Sequence, residues 1–329
     1  MPFLLHEFSS ESDLVKAIEE VSEKFTSQRE NISHYLSDKR LTSAYTAFYL
    51  TTNFPKLREV FRWLPPEWTA ALKHCNFIDV GAGPGTFSLA WKMFGGEGKI
   101  YQVETSEVMT LQAKRLWEGL MPNSPVEYLK TIKKMPNSFL FFGHSANEMG
   151  AAKVIRYVED TTPEHILFIE PGTKSFFPEM LKIRDYLLSR NFNVLFPCPT
   201  ALECPMKNSS EDWCHQIIHV RQEDDVERLT QLVKKDRRTL PLTVHAYSRQ
   251  GSFKTPQERL VRVLPDTKFS FEWEVCHNNN LEHYQVMKRN LEKSRLKELA
   301  LLVAGSSVET ILDKNIEQTK RVEIIKFHK

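Results

Sequence analysis

Three glycines at alternate positions follow a short apolar run and could bring the backbone close to a ligand. Gly81, Gly83 and Gly85 come directly after the segment FIDV at 77–80, and a helix is expected to begin at Phe87. Because glycine has no Cβ atom, the chain can turn tightly and approach a bound molecule there. The spacing is GxGxG, which differs from the GxGxxG of dinucleotide-binding folds and lacks the Lys-Ser/Thr end of a phosphate loop. The segment predicts a ligand-binding loop.

Two acidic residues accompany this loop. Asp79 lies at the end of the first predicted strand, and Glu104 closes the second, KIYQVE. A carboxylate can accept hydrogen bonds from both hydroxyls of a ribose. The loop, the following helix and the spaced acid resemble the first motif of class I S-adenosylmethionine-dependent methyltransferases, the alternative being a glycine-rich turn in an unrelated α/β protein. The resemblance implies that S-adenosylmethionine binds, with Asp79 near its amino group and Glu104 on its ribose. The implied cofactor-binding residues are Asp79, Gly81, Ala82, Gly83, Gly85, Thr86 and Glu104.

The segment after the predicted strand at 138–142 is where a methyl acceptor would be held. It reads FFGHSANEMG and lacks the Asp/Asn-Pro-Pro-aromatic clamp of adenine and cytosine amino-methyltransferases. His144, Asn147 and Glu148 are the candidates to face the target, and a polar loop without a chemical role is the alternative. A carbon-5 cytosine methyltransferase would need a cysteine nucleophile at this edge, which Cys198 could supply. The residues alone name no catalytic base.

Three of the five cysteines lie in one proline-rich loop, and a fourth follows much later. Cys198, Cys204 and Cys214 lie within FPCPTALECPMKNSSEDWCH, and Cys276 closes the predicted strand FSFEWEVC. Four thiolates are the number required by a cubane iron–sulfur cluster or a tetrahedral zinc site, but the paired CxxC knuckles of a zinc ribbon are absent. From the residues alone, a metal site and scattered buried thiols remain equally open. Cys75 is interpreted as an ordinary buried thiol.

The cysteine pattern, the GAGPGT loop and the segment IEPGT together resemble a family of methyltransferase-like small-ribosomal-subunit proteins. This family comprises the mitochondrial small-subunit assembly factor and its bacterial relatives, and the resemblance runs from about Tyr45 to the strand that carries Cys276. It implies a structural [4Fe–4S] cluster on the four cysteines, with zinc as the alternative, and binding to the small subunit through its ribosomal RNA. The segment KKDRRTLPLTVHAYSRQ departs from the acidic-aromatic stretch usual in the family.

Basic residues are in local excess between positions 230 and 262, with Tyr247 and Phe253 among them. Such side chains can neutralise RNA phosphates, and aromatic rings can stack on unpaired bases. An ordinary solvated face is the alternative. The basic residues are Lys234, Lys235, Arg237, Arg238, Arg249, Lys254, Arg259 and Arg262. The first five of these are the predicted RNA-binding residues.

Short apolar segments alternate with amphipathic ones from about residue 76, which is typical of a mainly parallel doubly wound sheet. The predicted strands are 77–80, 99–103, 138–142, 165–170 and 193–196. The predicted helices are 87–94, 107–117, 151–157 and 177–189. We therefore predict a Rossmann-like class I methyltransferase sheet (74–196), preceded by a helical region (1–73) and followed by a C-terminal α+β cysteine-cluster module (197–329).

Composition narrows the class of protein further. The chain has 329 residues and a formal net charge of +2, so any nucleic-acid surface must be a local patch. No apolar run approaches the roughly 20 residues needed to span a bilayer. An N-terminus without an export signal and an odd number of cysteines indicate a reducing compartment, so we expect a cytoplasmic monomer. Two functions remain open: an rRNA methyltransferase, or an inactive methyltransferase-fold scaffold for small-subunit assembly.

Overall fold

The computed structural model describes residues 3–27, 38–209, 211–251, 253 and 255–328. Its N-terminal part is helical, as predicted, although residues 28–37 of the predicted region lie outside the described ones. The helices are α1 (Glu11–Ser27), α2 (Lys39–Tyr45), which continues through a π-helical turn (Thr46–Leu50) and a short α-turn (Thr51–Asn53), α3 (Lys56–Phe61) and α4 (Pro66–Leu72). The side chain of Asp38 caps α2 by accepting hydrogen bonds from the backbone of Arg40 and Leu41.

A central sheet of eight strands follows in the described residues. Its strands are β1 (Asn76–Val80), β2 (Ile100–Val103), β3 (Val126–Leu129), β4 (Ser138–Gly143), β5 (His165–Pro171), β6 (Asn193–Phe196), β7 (Gln216–His219) and β8 (Thr239–Ser248). The order is β3-β2-β1-β4-β5-β8-β6, and β7 pairs with β8. Strands β1 to β5 are parallel, whereas β8 is antiparallel to its neighbours β5, β6 and β7. The sheet is thus mixed, not mainly parallel throughout.

Helices cover both faces of this sheet, because successive strand residues point to opposite sides. Phe77, Phe139 and Phe141 pack into one apolar cluster, while Ile78 and Leu140 pack into another. The helices after the first strand are α5 (Thr86–Met93), α6 (Glu107–Leu120), α7 (Ala146–Met149), α8 (Ala151–Thr161), α9 (Phe177–Ser189) and α10 (Asp224–Leu232). The predicted doubly wound architecture is confirmed. In the part of the chain that the structure describes, no helix is long and apolar enough to cross a bilayer.

The C-terminal region differs from the α+β cysteine-cluster module that we expected. Segment LTVHAYSR at 242–249 forms most of β8, so it belongs to the central sheet and not to a separate C-terminal module. The remainder forms a closed barrel in the described residues, ordered β10-β11-β13-β12-β9. Its elements are β9 (Glu258–Val263), β10 (Ser270–His277), β11 (Asn280–Met287), α11 (Lys293–Leu299), β12 (Ser307–Ile316) and β13 (Thr319–His328). Buried Phe271, Trp273 and Tyr284 fill it. Strands β12 and β13 were not predicted, because this exposed hairpin lacks a continuous apolar pattern.

Candidate active site and thiol cavity

The glycine loop joins β1 to α5 in a conformation that requires glycine. The φ angles of Gly81, Gly83 and Gly85 are 69°, 54° and 81°, in the left-handed region that disfavours other residues. A Cβ atom on Gly81 would lie 2.6 Å from Cβ of Ser145. The loop therefore packs closely against the segment after β4, where the acceptor candidates lie.

Glu104, at the end of β2, organises the floor of the cofactor cleft. Its two carboxylate oxygens accept hydrogen bonds from the backbone N–H of Gly83 and of Ser106, each at 2.8 Å. Ser106 is in turn the N-cap of α6. The Glu104 carboxylate thus links the glycine loop to α6. This structural role is additional to the ribose contact that the family resemblance implies.

A cleft of about 730 Å³ opens between the glycine loop, the end of β2 and α7. Five predicted cofactor residues line it: Gly81, Ala82, Gly83, Thr86 and Glu104. Gly85 and Asp79 do not. Lining residues that the prediction missed include Ser106, Met109, Lys153 and Tyr157. They belong to helices packed over the cleft, whose position the glycine motif does not encode.

Asp79 is buried behind the cleft and anchors α5. One carboxylate oxygen accepts hydrogen bonds from the Ser88 backbone N–H at 3.0 Å and the Ser88 hydroxyl at 2.7 Å. Burial raises the pKa of Asp79 to about 7, against the opposing effect of these hydrogen bonds. Asp79 does not line the cleft, and its position near the methionine amino group stays a prediction.

Glu170 holds the acceptor segment in place from the end of β5. Its carboxylate accepts backbone N–H groups from Ser145, Ala146 and Asn147 at 3.1, 2.9 and 3.3 Å. Burial raises the pKa of Glu170 to about 8 despite these hydrogen bonds. Glu170 was not among the predicted site residues, although an acid at the end of a buried strand is a signal visible in the sequence.

A second pocket, of about 590 Å³, adjoins the cleft. The two share Tyr45, Asn53, His144 and Glu148 in their walls. The second pocket adds Tyr49, Lys56, Asn147, Pro171, Gly172, Thr173, Arg237 and residues 240–242. All three predicted acceptor candidates line the second pocket, and two of them, His144 and Glu148, lie where the two spaces meet. We call this second space the acceptor pocket.

The polar groups of the acceptor pocket are poorly solvated. Lys56 is 2% exposed, and its Nζ lies 2.8 Å from Nε2 of His144. Burial lowers the pKa of both groups well below their usual values, so the pair favours neutral forms. The amide oxygen of Asn147 is buried and has no hydrogen-bond partner among the described residues. Such an orphaned acceptor suits a ligand that brings its own N–H.

The predicted RNA-binding residues fall at opposite edges of the sheet. Lys234, Lys235, Arg237 and Arg238 lie between α10 and β8, on the side of the acceptor pocket, whereas Arg249 follows β8 at the far end. The guanidinium of Arg237 lies 5.5 Å from the ring centroid of Phe48 and 5.3 Å from that of Tyr49. Arg238 forms an ion pair with Asp236.

The other basic residues do not extend this surface. Arg259 is buried beside the cysteines, and Arg262 forms ion pairs with Asp212 and Glu274. Lys254 lies outside the described residues. The predicted basic residues near the acceptor pocket are therefore those at 234–238, because strand β8 separates the two ends of the segment.

The four clustered cysteines line one cavity, an arrangement that the family resemblance implies. Cys198, Cys204 and Cys214 come from the loop between β6 and β7, and Cys276 from β10, so the cavity joins sheet and barrel. Burial raises the pKa of Cys204, of Cys214 and, to about 12, of Cys276, and the neighbouring thiols add to the effect. Cys75 is buried elsewhere, against Asn137.

Two buried arginines flank the thiols. Nε of Arg184 donates to Sγ of Cys198 at 3.3 Å, and the surrounding thiols interact electrostatically with Arg259. Burial lowers the pKa of Arg259 to about 10, and its Nε has no partner among the described residues. Across the described ranges, no group of three or more His, Cys, Asp or Glu side chains is arranged to hold a metal ion.

The strand order, the positive-φ glycine loop and the acid at the end of β2 define a class I methyltransferase fold of the Rossmann-like type. The chain belongs to the family described as mitochondrial small ribosomal subunit Rsm22, whose sequence pattern matches residues 39–290. That match spans well over half of the chain. Among curated proteins, none matches.

Solved structures that are similar to this chain include three methyltransferases. Magnesium protoporphyrin IX methyltransferase from Synechocystis PCC 6803, with bound S-adenosylmethionine, is 11% identical over 71% of this chain and 97% of its own, with a TM-score of 0.41. Precorrin-6y C5,15-methyltransferase from Geobacter metallireducens is 12% identical over 58% of this chain and 87% of its own, with a TM-score of 0.36. The tRNA methyltransferase TrmK from B. subtilis is 12% identical over 57% of this chain and 67% of its own, with a TM-score of 0.35. No substrate for this chain follows from them.

Proposed function

We propose that the protein is an S-adenosylmethionine-dependent methyltransferase that acts on the ribosomal RNA of the small subunit. The observation that carries this proposal is the junction of the cofactor cleft with the acceptor pocket, which share His144 and Glu148 in their walls. A methyl donor in one space and an acceptor in the other would meet at these side chains. Membership of the small-subunit family supports ribosomal RNA as the acceptor.

S-adenosylmethionine supplies an electrophilic methyl group when it is bound. The chain's own residues would then position the acceptor and manage its proton. The orphaned amide oxygen of Asn147 can accept a hydrogen bond from an N–H of the acceptor. His144, kept neutral by burial, can take up the proton that a methylated amino group releases. Glu170 holds the backbone that carries them, because it accepts the N–H groups of Asn147 and of Ser145, the neighbour of His144.

The test is crosslinking to RNA in cells, with methylation mapped at the crosslinked site. We expect a methylated nucleotide in cells with the wild-type protein and none in the deletion. Asn147→Ala should lower the methylation rate roughly 10-fold or more, since a hydrogen bond lost from a reacting group costs about 1–3 kcal/mol. Asn123→Ala, an exposed asparagine after α6, is the matched control and should leave the rate unchanged.

The second candidate function is a catalytically inactive scaffold that binds rRNA during assembly. The missing Asp/Asn-Pro-Pro-aromatic clamp in the segment 141–150 favours it. Crosslinks that persist at a site without any methylation, in wild-type and Asn147→Ala cells alike, would support the scaffold and contradict the enzyme.

RNA binding at the mouth of the acceptor pocket is assigned to the group at 234–238. We expect Arg237→Ala to weaken RNA binding and to reduce the slope of log affinity against log salt by about 0.7, the value for one lost phosphate contact on a single strand. Arg249→Ala is the matched control, because Arg249 also covers an aromatic ring, Phe192, but at the opposite edge. Equal effects of the two variants in an anisotropy titration would contradict this assignment.

The proposal includes a [4Fe–4S] cluster on Cys198, Cys204, Cys214 and Cys276. Four thiols without a histidine are the donor set of such a cluster, and the positive charges of Arg184 and Arg259 offset the charge of thiolate ligands. Zinc, which would need four sulfurs about 2.3 Å from one point, is the alternative metal. The cluster would tie the β6–β7 loop to the barrel.

A further inference from the structure

The C-terminal barrel has the topology of an oligonucleotide-binding fold. Numbered within the barrel, strands β9 to β13 follow the closed order 1-2-3-5-4-1. The third and fifth strands, β11 and β13, are parallel, and the other neighbouring pairs are antiparallel. Helix α11 lies between the third and fourth strands. Proteins with this five-stranded Greek-key barrel bind ligands on strands two and three and on the loops that flank them.

A groove of about 720 Å³ lies at that place in this barrel. It is formed by the loop between β9 and β10, by the end of β11 and by Arg321 of β13. Its charged lining residues are all basic: Lys268, Lys288, Arg289 and Arg321. The groove is separate from the cofactor cleft, the acceptor pocket and the thiol cavity, with which it shares no lining residue.

An aromatic ring stands exposed in this groove on a backbone that is already fixed. The side chain of Phe269 is 66% exposed. Its backbone N–H donates to the Thr267 hydroxyl at 3.1 Å, and its carbonyl accepts from the Lys288 N–H at 2.8 Å. An exposed ring gains nothing from burial in the folded protein. A fixed backbone lowers the entropic cost of stacking a ligand on it.

The surrounding polar groups are also held in place. The Lys288 ammonium donates to Asp266 at 3.0 Å and to the Thr267 carbonyl at 2.8 Å, which ties the loop to β11. Nη2 of Arg321 donates to Oε1 of Gln285 at 3.1 Å. Lys268 and Arg289 are exposed beside them. The groove combines a stacking platform with two cations held in place, Lys288 and Arg321, and two exposed ones, Lys268 and Arg289.

We propose that this groove, defined by Lys268, Phe269, Lys288, Arg289 and Arg321, is a second binding site, for single-stranded RNA. Unpaired bases can stack on Phe269 while the cations contact the phosphates. A duplex hides its bases and offers no face to the ring, so the site selects single strands. The barrel would hold an unpaired segment while the methyltransferase sheet acts on another part of the same RNA.

The test uses the full-length protein and a fluorescently labelled 12-nucleotide single strand of mixed RNA sequence. We expect Phe269→Ala to weaken binding roughly 10-fold, the effect of losing a stacked base. Lys268→Glu combined with Arg289→Glu should weaken binding. It should also reduce the slope of log affinity against log salt by the amount expected for about two lost phosphate contacts. A duplex of the same sequence should bind more weakly and respond little to Phe269→Ala.

Matched controls come from the same barrel. Leu301→Ala removes another exposed apolar side chain, 61% exposed, and Lys297→Glu reverses a charge on α11, both away from the groove. The proposal is overturned if Phe269→Ala leaves the affinity unchanged, if Leu301→Ala weakens binding as much, or if duplex binds as well as single strand. Loss of binding in Arg237→Ala alone would support the site at 234–238 and overturn the barrel site.

Discussion

Protein purified without oxygen is expected to be brown, with about four irons per chain and broad absorbance at about 400 nm, as a four-cysteine cluster implies. The physical reason is the convergence of Cys198, Cys204, Cys214 and Cys276 on one cavity. Three of these thiols have raised pKa values, so a metal cluster must displace protons to bind there. The flanking arginines favour the thiolate forms that it needs.

Single cysteine variants should distinguish the cysteines that bind iron from those that do not. Cys214→Ser is expected to abolish nearly all bound iron and to destabilise the junction between the β6–β7 loop and the barrel, because metal-binding free energy is folding free energy. Cys75→Ala is the matched control: Cys75 is a buried thiol that lies outside the cavity. Iron and sulfide analysis and thermal melts measure both effects.

Colourless protein with one stoichiometric zinc would contradict the cluster and leave a metal site of another kind. Cys214→Ser protein that keeps its iron would show that Cys214 is not a ligand. Either result would leave the methyltransferase proposal standing, since the thiol cavity and the cofactor cleft have no residue in common.

Glu104→Ala is expected to weaken S-adenosylmethionine binding by about 1–3 kcal/mol, roughly 5- to 150-fold, through the loss of charge-assisted hydrogen bonds. The structure adds a second reason. The carboxylate accepts the backbone N–H groups of Gly83 and Ser106, so its removal also releases the loop that shapes the cleft. Isothermal titration calorimetry with S-adenosylhomocysteine measures the change without turnover.

Two further variants keep this prediction specific. Glu107→Ala removes a neighbouring acid that lines the same cleft but is largely exposed and pairs with Lys130, so its affinity should match the wild type. Glu104→Gln keeps the size and one acceptor oxygen, so it should fold normally and show an intermediate loss. Unchanged affinity in Glu104→Ala, with a normal melt, would mean that the ribose is held elsewhere.

Local chemistry in the sequence was enough to predict the central sheet and its glycine loop. Strand β4 is almost continuously apolar because it is buried on both faces, and that pattern is visible without a structure. The positive-φ turn needs glycine at its own positions, so Gly81, Gly83 and Gly85 identify it directly. The barrel was not predictable in this way. Its strands β12 and β13 are largely exposed and lack clear periodicity.

The sequence by itself determined which residue types are available: a glycine loop with a spaced acid, four cysteines and a basic segment. Only the tertiary structure decided which of them meet. It brought Cys276 to the other three thiols, placed Lys56 beside His144, and separated Arg249 from Arg237. The physical reason is that these relations depend on strand pairing and chain crossings between distant segments. Spacing along the chain encodes the turn around Gly81, but it does not encode which strand edge a side chain reaches.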